Sequence, residues 1–166
     1  MRMEDLDTPR VVPGMADDIL RTLEQLGLEW DGPVVWQSRQ TEAYEAAFKV
    51  VSQSNAVNLM RFQTAGGTNI LTLFRSTSGS LLLRNDVAAA NAPGSIAVSA
   101  GAWHEVQVSV TISGASSTVQ VTLDGSQVTA LTQTLNLGTT PIGRLILGDN
   151  NNNRTSQVAY DEVVAS

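Results

Sequence analysis

The spacing of apolar residues changes at Phe48, and that change constrains the fold more than any other feature of the chain. Before it, Val12, Ala16, Ile19, Leu20, Leu23 and Leu26 recur every three or four residues, the single stripe of an amphipathic helix over residues 13–27. Pro13 suits the first turn, Asp17 and Asp18 suit the N-terminal half, and Gly27 suits the C-cap. A second helix is expected over SRQTEAYEAAF, with Ser38 as its cap and Glu42 near the answering position. After Phe48 the period becomes two. The runs FKVV, AVNLMRFQ, TNILTLFR, GSLLLRN, WHEVQVSVTI, STVQVTLD and RLILGD alternate apolar and polar residues between links such as TAGG, STSG and SGASS.

Many short strands joined by tight turns indicate an antiparallel sandwich or barrel. Asp124-Gly125 is a strong hairpin signal within it. The expectation is a mainly β fold, an antiparallel jelly-roll sandwich over residues 48–166, with an α-helical appendage over residues 1–47. The helix stripe, with Leu23 at its middle, is expected to pack on the sandwich.

Charge narrows the range of functions. The net charge is −6, and all the excess lies before Phe48. Nucleic-acid binding needs a basic face to displace counterions, so no nucleic acid is expected as a partner. There is no cysteine, hence no disulfide or thiolate metal site. MRMEDLDTPR lacks the apolar core of a secretory signal, and no run is long enough to span a bilayer. A cytoplasmic location and no membrane partner are therefore expected.

The segment RMEDLDTPRVVPGMADDILRTLEQLGLEWDGPVVWQSRQTEAYEAA resembles glutamyl-Q tRNA(Asp) synthetase, a relative of glutamyl-tRNA synthetase. The resemblance implies that Glu4, in the R-x-E-D motif, helps hold the amino group of a glutamate substrate. The nucleotide-binding motifs of that family are not in the chain: the one histidine, His104, and the sole lysine, Lys49, fall in neither. Synthetase activity is not expected.

LLLRNDVAAAN, GAWHEVQVSVTI, TVQVTLDG, LNLGTTPIGRLILGDN and AYDEVV resemble bacterial laminin-G or concanavalin A-like modules. That resemblance implies a jelly roll, commonly extracellular and often beside polysaccharide. Such modules place strands before the FKVV strand, where this chain has the synthetase-like piece. Those strands are expected to be missing, leaving an open edge for homodimer pairing or for a replacement strand from Val34–Trp36. The chain therefore reads as a chimera, recombined or designed. Its expected function is a non-catalytic module with weak glycan binding, the alternative being an inactive synthetase fragment.

The remaining site candidates are few. His104 alternates with Val106, Val108 and Val110 and is expected as a hydrogen-bonded core histidine, with no motif-bound serine to make it a general base. Asp161 and Asp149, the latter beside Asn150 to Asn153, are calcium candidates by donor type. Asp161 and Glu162 are adjacent in a strand and so are expected on opposite faces. Arg75, Arg84 and Arg144 are candidates for one polar sheet face. Trp30 and Trp36 flank DGPVV as possible sugar platforms or inherited packing, and Trp103 is expected as core or rim packing.

Overall fold

The structure, a computed structural model, describes residues 2–3, 15–28, 35–36, 42–149 and 155–165. It divides into two compact units, residues 1–41 and 42–166.

In the first unit, strand β1 (Arg2–Met3) pairs in parallel with β2 (Val35–Trp36), and helix α1 spans Met15–Gln25. The helix ends as its sequence indicates. Gly27 takes φ +70°, its N–H reaches Glu24 O, and the N–H of Leu28 reaches Leu23 O. That pair of bonds satisfies the terminal carbonyls in a Schellman arrangement. Within this unit Ile19 and Leu26 are exposed and Leu20 and Leu23 half-buried.

The second unit contains β3 (Glu42–Gln53), β4 (Val57–Gln63), β5 (Asn69–Arg75), β6 (Ser80–Asn85), β7 (Ala90–Asn91) and β8 (Ile96–Ala97). It continues with β9 (His104–Thr111), β10 (Ser117–Leu123), β11 (Ser126–Gln127), β12 (Gln133–Leu135), β13 (Arg144–Leu147) and β14 (Ser156–Ala165). One antiparallel sheet runs β11-β10-β9-β3-β14, with β12 also on β10; the other runs β13-β4-β5-β6-β7, with β8 also on β6. The two sheets form a jelly-roll β-sandwich. Its core includes Phe48, Leu59, Phe62, Leu71, Leu73, Leu81, Leu83, Val108 and Val121, all fully buried. Asp124 and Gly125 have φ of 50° and 74°, and Thr122 faces Gln127 across them, the two-residue primed turn that Asp-Gly favours.

The main departure from expectation is β3. Residues 42–48 are strand, not the end of a second helix; residues 38–41 lie outside the described set. Tyr44, Ala46, Phe48 and Val50 are buried, and the residues between them are only half-buried. A short helix has little stability of its own, whereas this strand gains two ladders and a buried face. It pairs with β9 from Glu42 to Phe48 and with β14 along most of its length. Tyr44 also meets Phe62 of the opposite sheet edge-on, with centroids 4.9 Å apart. The FKVV strand is therefore longer than expected, extended N-terminally by residues of the synthetase-like segment, and it lies inside its sheet between β9 and β14. No edge is open beside FKVV, and Val35–Trp36 pairs with β1 rather than serving as a replacement strand.

Candidate functional site

The face of the second sheet that points away from the core carries a groove of about 480 Å³. Alternation along β4, β5 and β6 sends Leu71, Leu73, Leu81 and Leu83 inward, and so turns Thr72, Phe74, Leu82 and Arg84 outward. Pairing sets these side chains in rows. Arg61 faces Thr72, Thr72 faces Arg84, and Arg84 faces Asn91; beside them Asn58 faces Phe74 and Phe74 faces Leu82. A register shift between Asn58 and Met60 puts Leu59 and Met60 both inward while keeping Asn58 and Arg61 on the groove.

Asp86, just beyond β6, organises the polar end. Its carboxylate accepts from Thr72 Oγ1 at 2.6 Å and from Arg84 Nε at 3.0 Å, while Arg84 Nη2 also reaches Ala89 O at 3.4 Å. The carboxylate thus holds a hydroxyl and a guanidinium in fixed positions beside the half-buried ring of Phe74. Fixed polar groups around an apolar patch suit a small polar ligand with one apolar face.

Of the three arginines expected on one polar face, Arg84 lines the groove and Arg144 alternates with Ile146, which faces Arg61. Arg75 does not join them. It pairs with Val57 and Leu81 on the core side and is buried, giving two hydrogen bonds to Val98 O (3.0 and 2.8 Å) and one to Gln53 Oε1 (2.6 Å). The period-two pattern assigns it there, since Arg75 is an odd number of residues from Thr72. Asn58, Arg61, Thr72, Phe74 and Asp86 carried no sequence signal beyond being outward positions.

The calcium candidates lie apart in the chain and differ in setting. Asp149 is half-buried, with the Asn58 N–H 3.4 Å from Oδ2. Asp161 is exposed in β14 opposite Ala47, and its Oδ1 accepts from the Glu162 N–H. The alternation expected of Asp161 and Glu162 breaks here: a bulge lies between Asp161 and Val164, and Glu162 takes φ +50°. Among the described residues no three acidic or histidine side chains gather as metal ligands. Glu4, Trp30 and Asn150 to Asn153, with the side chain of Trp36, lie outside the described set. Trp103 is 51% exposed rather than packed in the core.

His104 sits at the end of the apolar face of β9, as its alternation indicates, with its side chain 14% exposed. Both ring nitrogens are engaged. Nδ1 lies 2.8 Å from Asp124 Oδ2 and Nε2 lies 2.8 Å from Ser99 Oγ. Ser99 belongs to no nucleophile motif; it is the fold that sets it beside the histidine. Burial alone would raise the Asp124 pKa, but hydrogen bonds from His104 and from the Glu105 N–H, with the imidazole charge, outweigh it and hold the carboxyl below its usual range. A depressed folded pKa gives stability that is fully present above the ordinary carboxylate value of roughly 4 and is lost as pH falls through the lower folded value. The stability difference between the native chain and Asp124→Asn should therefore shrink as the pH falls below about 4, as read by urea unfolding. A difference that keeps growing below about pH 4 would contradict this assignment.

Two comparisons bear on the two units. The N-terminal segment is 71% identical over 49 residues to glutamyl-Q tRNA(Asp) synthetase of Geobacter sulfurreducens, covering 30% of this chain and 16% of that protein. It is 61% identical over 54 residues to the same enzyme of Dechloromonas aromatica, covering 32% of this chain and 18% of that one. The chain thus spans less than a fifth of the length of these curated relatives. No protein-family model matches the chain.

The sandwich is similar in structure to a Trypanosoma rangeli sialidase mutant (TM-score 0.58, 15% identity), over 75% of this chain and 20% of that one. It is also similar to a tetrameric galectin from the sponge Cinachyrella (TM-score 0.51, 12% identity) and to sheep galectin-11 (0.50, 11%). These matches cover 75% and 76% of this chain and 90% of each galectin. At such identities the likeness shows the fold alone. The chain joins a synthetase-like segment to a jelly-roll sandwich, the composition of a chimera. No helix among the described residues is long and apolar enough to cross a membrane.

Proposed function

We propose that the sandwich is a glycan-binding module and that its ligand lies in the groove over β4, β5 and β6. The observation that carries this reading is the fixed set of Asp86, Thr72 and Arg84 beside the Phe74 ring. A pyranose offers hydroxyls that alternately donate and accept, together with an apolar C–H face, and this wall answers both. Arg84 is already paired with Asp86 at 3.0 Å, so its own charge is compensated while its remaining N–H groups can still donate to hydroxyl groups.

Binding should be weak, in the range of about 0.1 to 1 mM for a single sugar ring. Arg84→Ala and Phe74→Ala should each reduce it by roughly tenfold, since each removes one side of the wall. Isothermal titration against a panel of neutral and acidic oligosaccharides reads this directly. Saturable binding that both variants leave unchanged would remove the groove from the reading.

The synthetase-like segment supplies the second reading, a fragment of a tRNA-modifying ligase. Both sandwich sheets are antiparallel, and neither offers the strand-to-helix turn on which nucleotide phosphates are usually held. Glutamate-dependent pyrophosphate exchange is accordingly expected at background; exchange clearly above it would favour the ligase.

A further inference from the structure

The loop between β8 and β9, the start of β9 and the β10–β11 turn bring three side chains into one line. Asp124 Oδ2 lies 2.8 Å from His104 Nδ1, and His104 Nε2 lies 2.8 Å from Ser99 Oγ. We propose that Ser99 is an activated nucleophile, with His104 as its general base and Asp124 as the group that orients the imidazole, and that it accepts an acyl group from short-chain esters.

The chemistry follows from the hydrogen-bond directions. An ionised carboxylate only accepts, so Nδ1 must carry the proton in the neutral ring, and Nε2 is then left to accept from the Ser99 hydroxyl. That is the tautomer a general base needs. The line is held at every member. Asp124 sits in its turn with its own N–H on Glu105 O, at 2.8 Å, and its Oδ1 takes the Glu105 N–H at 2.9 Å. The residue before Ser99, Val98, is buried, and its carbonyl is gripped twice by Arg75. Beyond Ser99, the N–H of Gly101 bonds to Val50 O at 2.9 Å. His104 also lies against Phe48, with ring centroids 5.8 Å apart. The serine itself is exposed, so an acyl donor can reach it from solvent.

In the step proposed, Ser99 Oγ bonds to the ester carbonyl carbon while its proton passes to His104 Nε2. The tetrahedral adduct then expels the alcohol or phenol oxygen, which leaves either as the anion or with the proton from Nε2. An acyl-serine remains, and solvent water hydrolyses it by the same base. Short acyl groups are favoured because Ser99 stands on an exposed loop rather than inside an acyl-binding cavity.

The test uses the full chain and p-nitrophenyl acetate, following p-nitrophenolate release and locating the acetyl group by peptide mass spectrometry. Acetyl on Ser99 is expected, falling roughly 100-fold or more in rate in His104→Gln, the usual scale for losing a general base. Asp124→Asn should fall as well, with Ser99 still the labelled residue. Ser99→Ala removes only an exposed hydroxyl, so its melting temperature should hold while the serine label disappears. Acetylation confined to His104, Lys49 or the N-terminus, or a Ser99 label whose rate is the same in the folded His104→Gln and Asp124→Asn variants, would overturn the proposal. If His104→Gln fails to fold, Asp124→Asn and Ser99→Ala decide it alone.

Discussion

Ala46→Lys should unfold the sandwich or come close to it, while Ala47→Lys should be nearly silent. Ala46 is fully buried in β3, opposite Val106 of β9. A lysine there places an ammonium among apolar side chains with no partner, at a cost of several kcal/mol, about the scale of a whole domain's stability. Ala47 points to the other face, opposite Glu105 on one side and Asp161 on the other, where a lysine gains two acidic neighbours and costs under about 1 kcal/mol. The helical reading of this stretch ranks the pair the other way, because Ala47 would share a face with Tyr44 and Phe48 while Ala46 would turn outward. Chemical denaturation of both variants reads the order directly.

Gly94→Ala should cost at least about 3 kcal/mol, a large effect for one methyl group. Gly94 joins β7 to β8 at φ +94°, and a Cβ on it would lie 2.0 Å from Ala130 O, in the turn before β12. The obstruction is backbone, not a side chain that can rotate away. Its neighbourhood is further tied together, since Gln133 Nε2 donates to both Pro93 O and Ala130 O. Gly101→Ala is the control: φ is +82°, but nothing lies within 4 Å of the added carbon. It should cost about 1 kcal/mol, the conformational part alone. Equal losses at the two glycines would show that the close approach at Gly94 relaxes freely.

How much of this was legible before the structure differs from residue to residue. The sandwich was legible because most of its strands keep a period of two, broken only locally by bulges such as those in β4 and β14, and the Asp124-Gly125 turn because few other dipeptides accept two positive φ angles. The end of α1 was legible for the same reason at Gly27. The first half of β3 was not. In EAYEAAF, Tyr44 and Phe48 are spaced for a helix, yet Tyr44, Ala46 and Phe48 also satisfy a strand, and the neighbouring strands decide between the two. A local pattern carries no information about β9 and β14.

The groove and the histidine line failed to show for a different reason. Outward polar residues on β4, β5 and β6 look the same whether they face water or a ligand, and only the cross-strand register makes Arg61, Thr72 and Arg84 a row. Ser99 and Asp124 lie five and twenty residues from His104. No short motif spans such distances; the ladder between β9 and β10, which sets Leu123 opposite Val106, brings Asp124 to His104. Arg75 could have been placed inward from parity with Thr72, had the inward positions of β5 been settled first.

The sequence seam and the structural seam of this chain differ. A 49-residue match lying at the N-terminal end necessarily runs past Glu42, so synthetase-like sequence enters β3, while the sandwich unit already begins at Glu42. Two truncated chains test this most directly, one beginning at Glu42 and one at Phe48, each followed by thermal unfolding. The chain from Glu42 should unfold cooperatively at close to the full-length temperature. The chain from Phe48, without the buried Tyr44 and Ala46 and six ladder positions against β9, should be strongly destabilised or unfolded. Two truncations of equal stability would contradict the claim and return the boundary to Phe48.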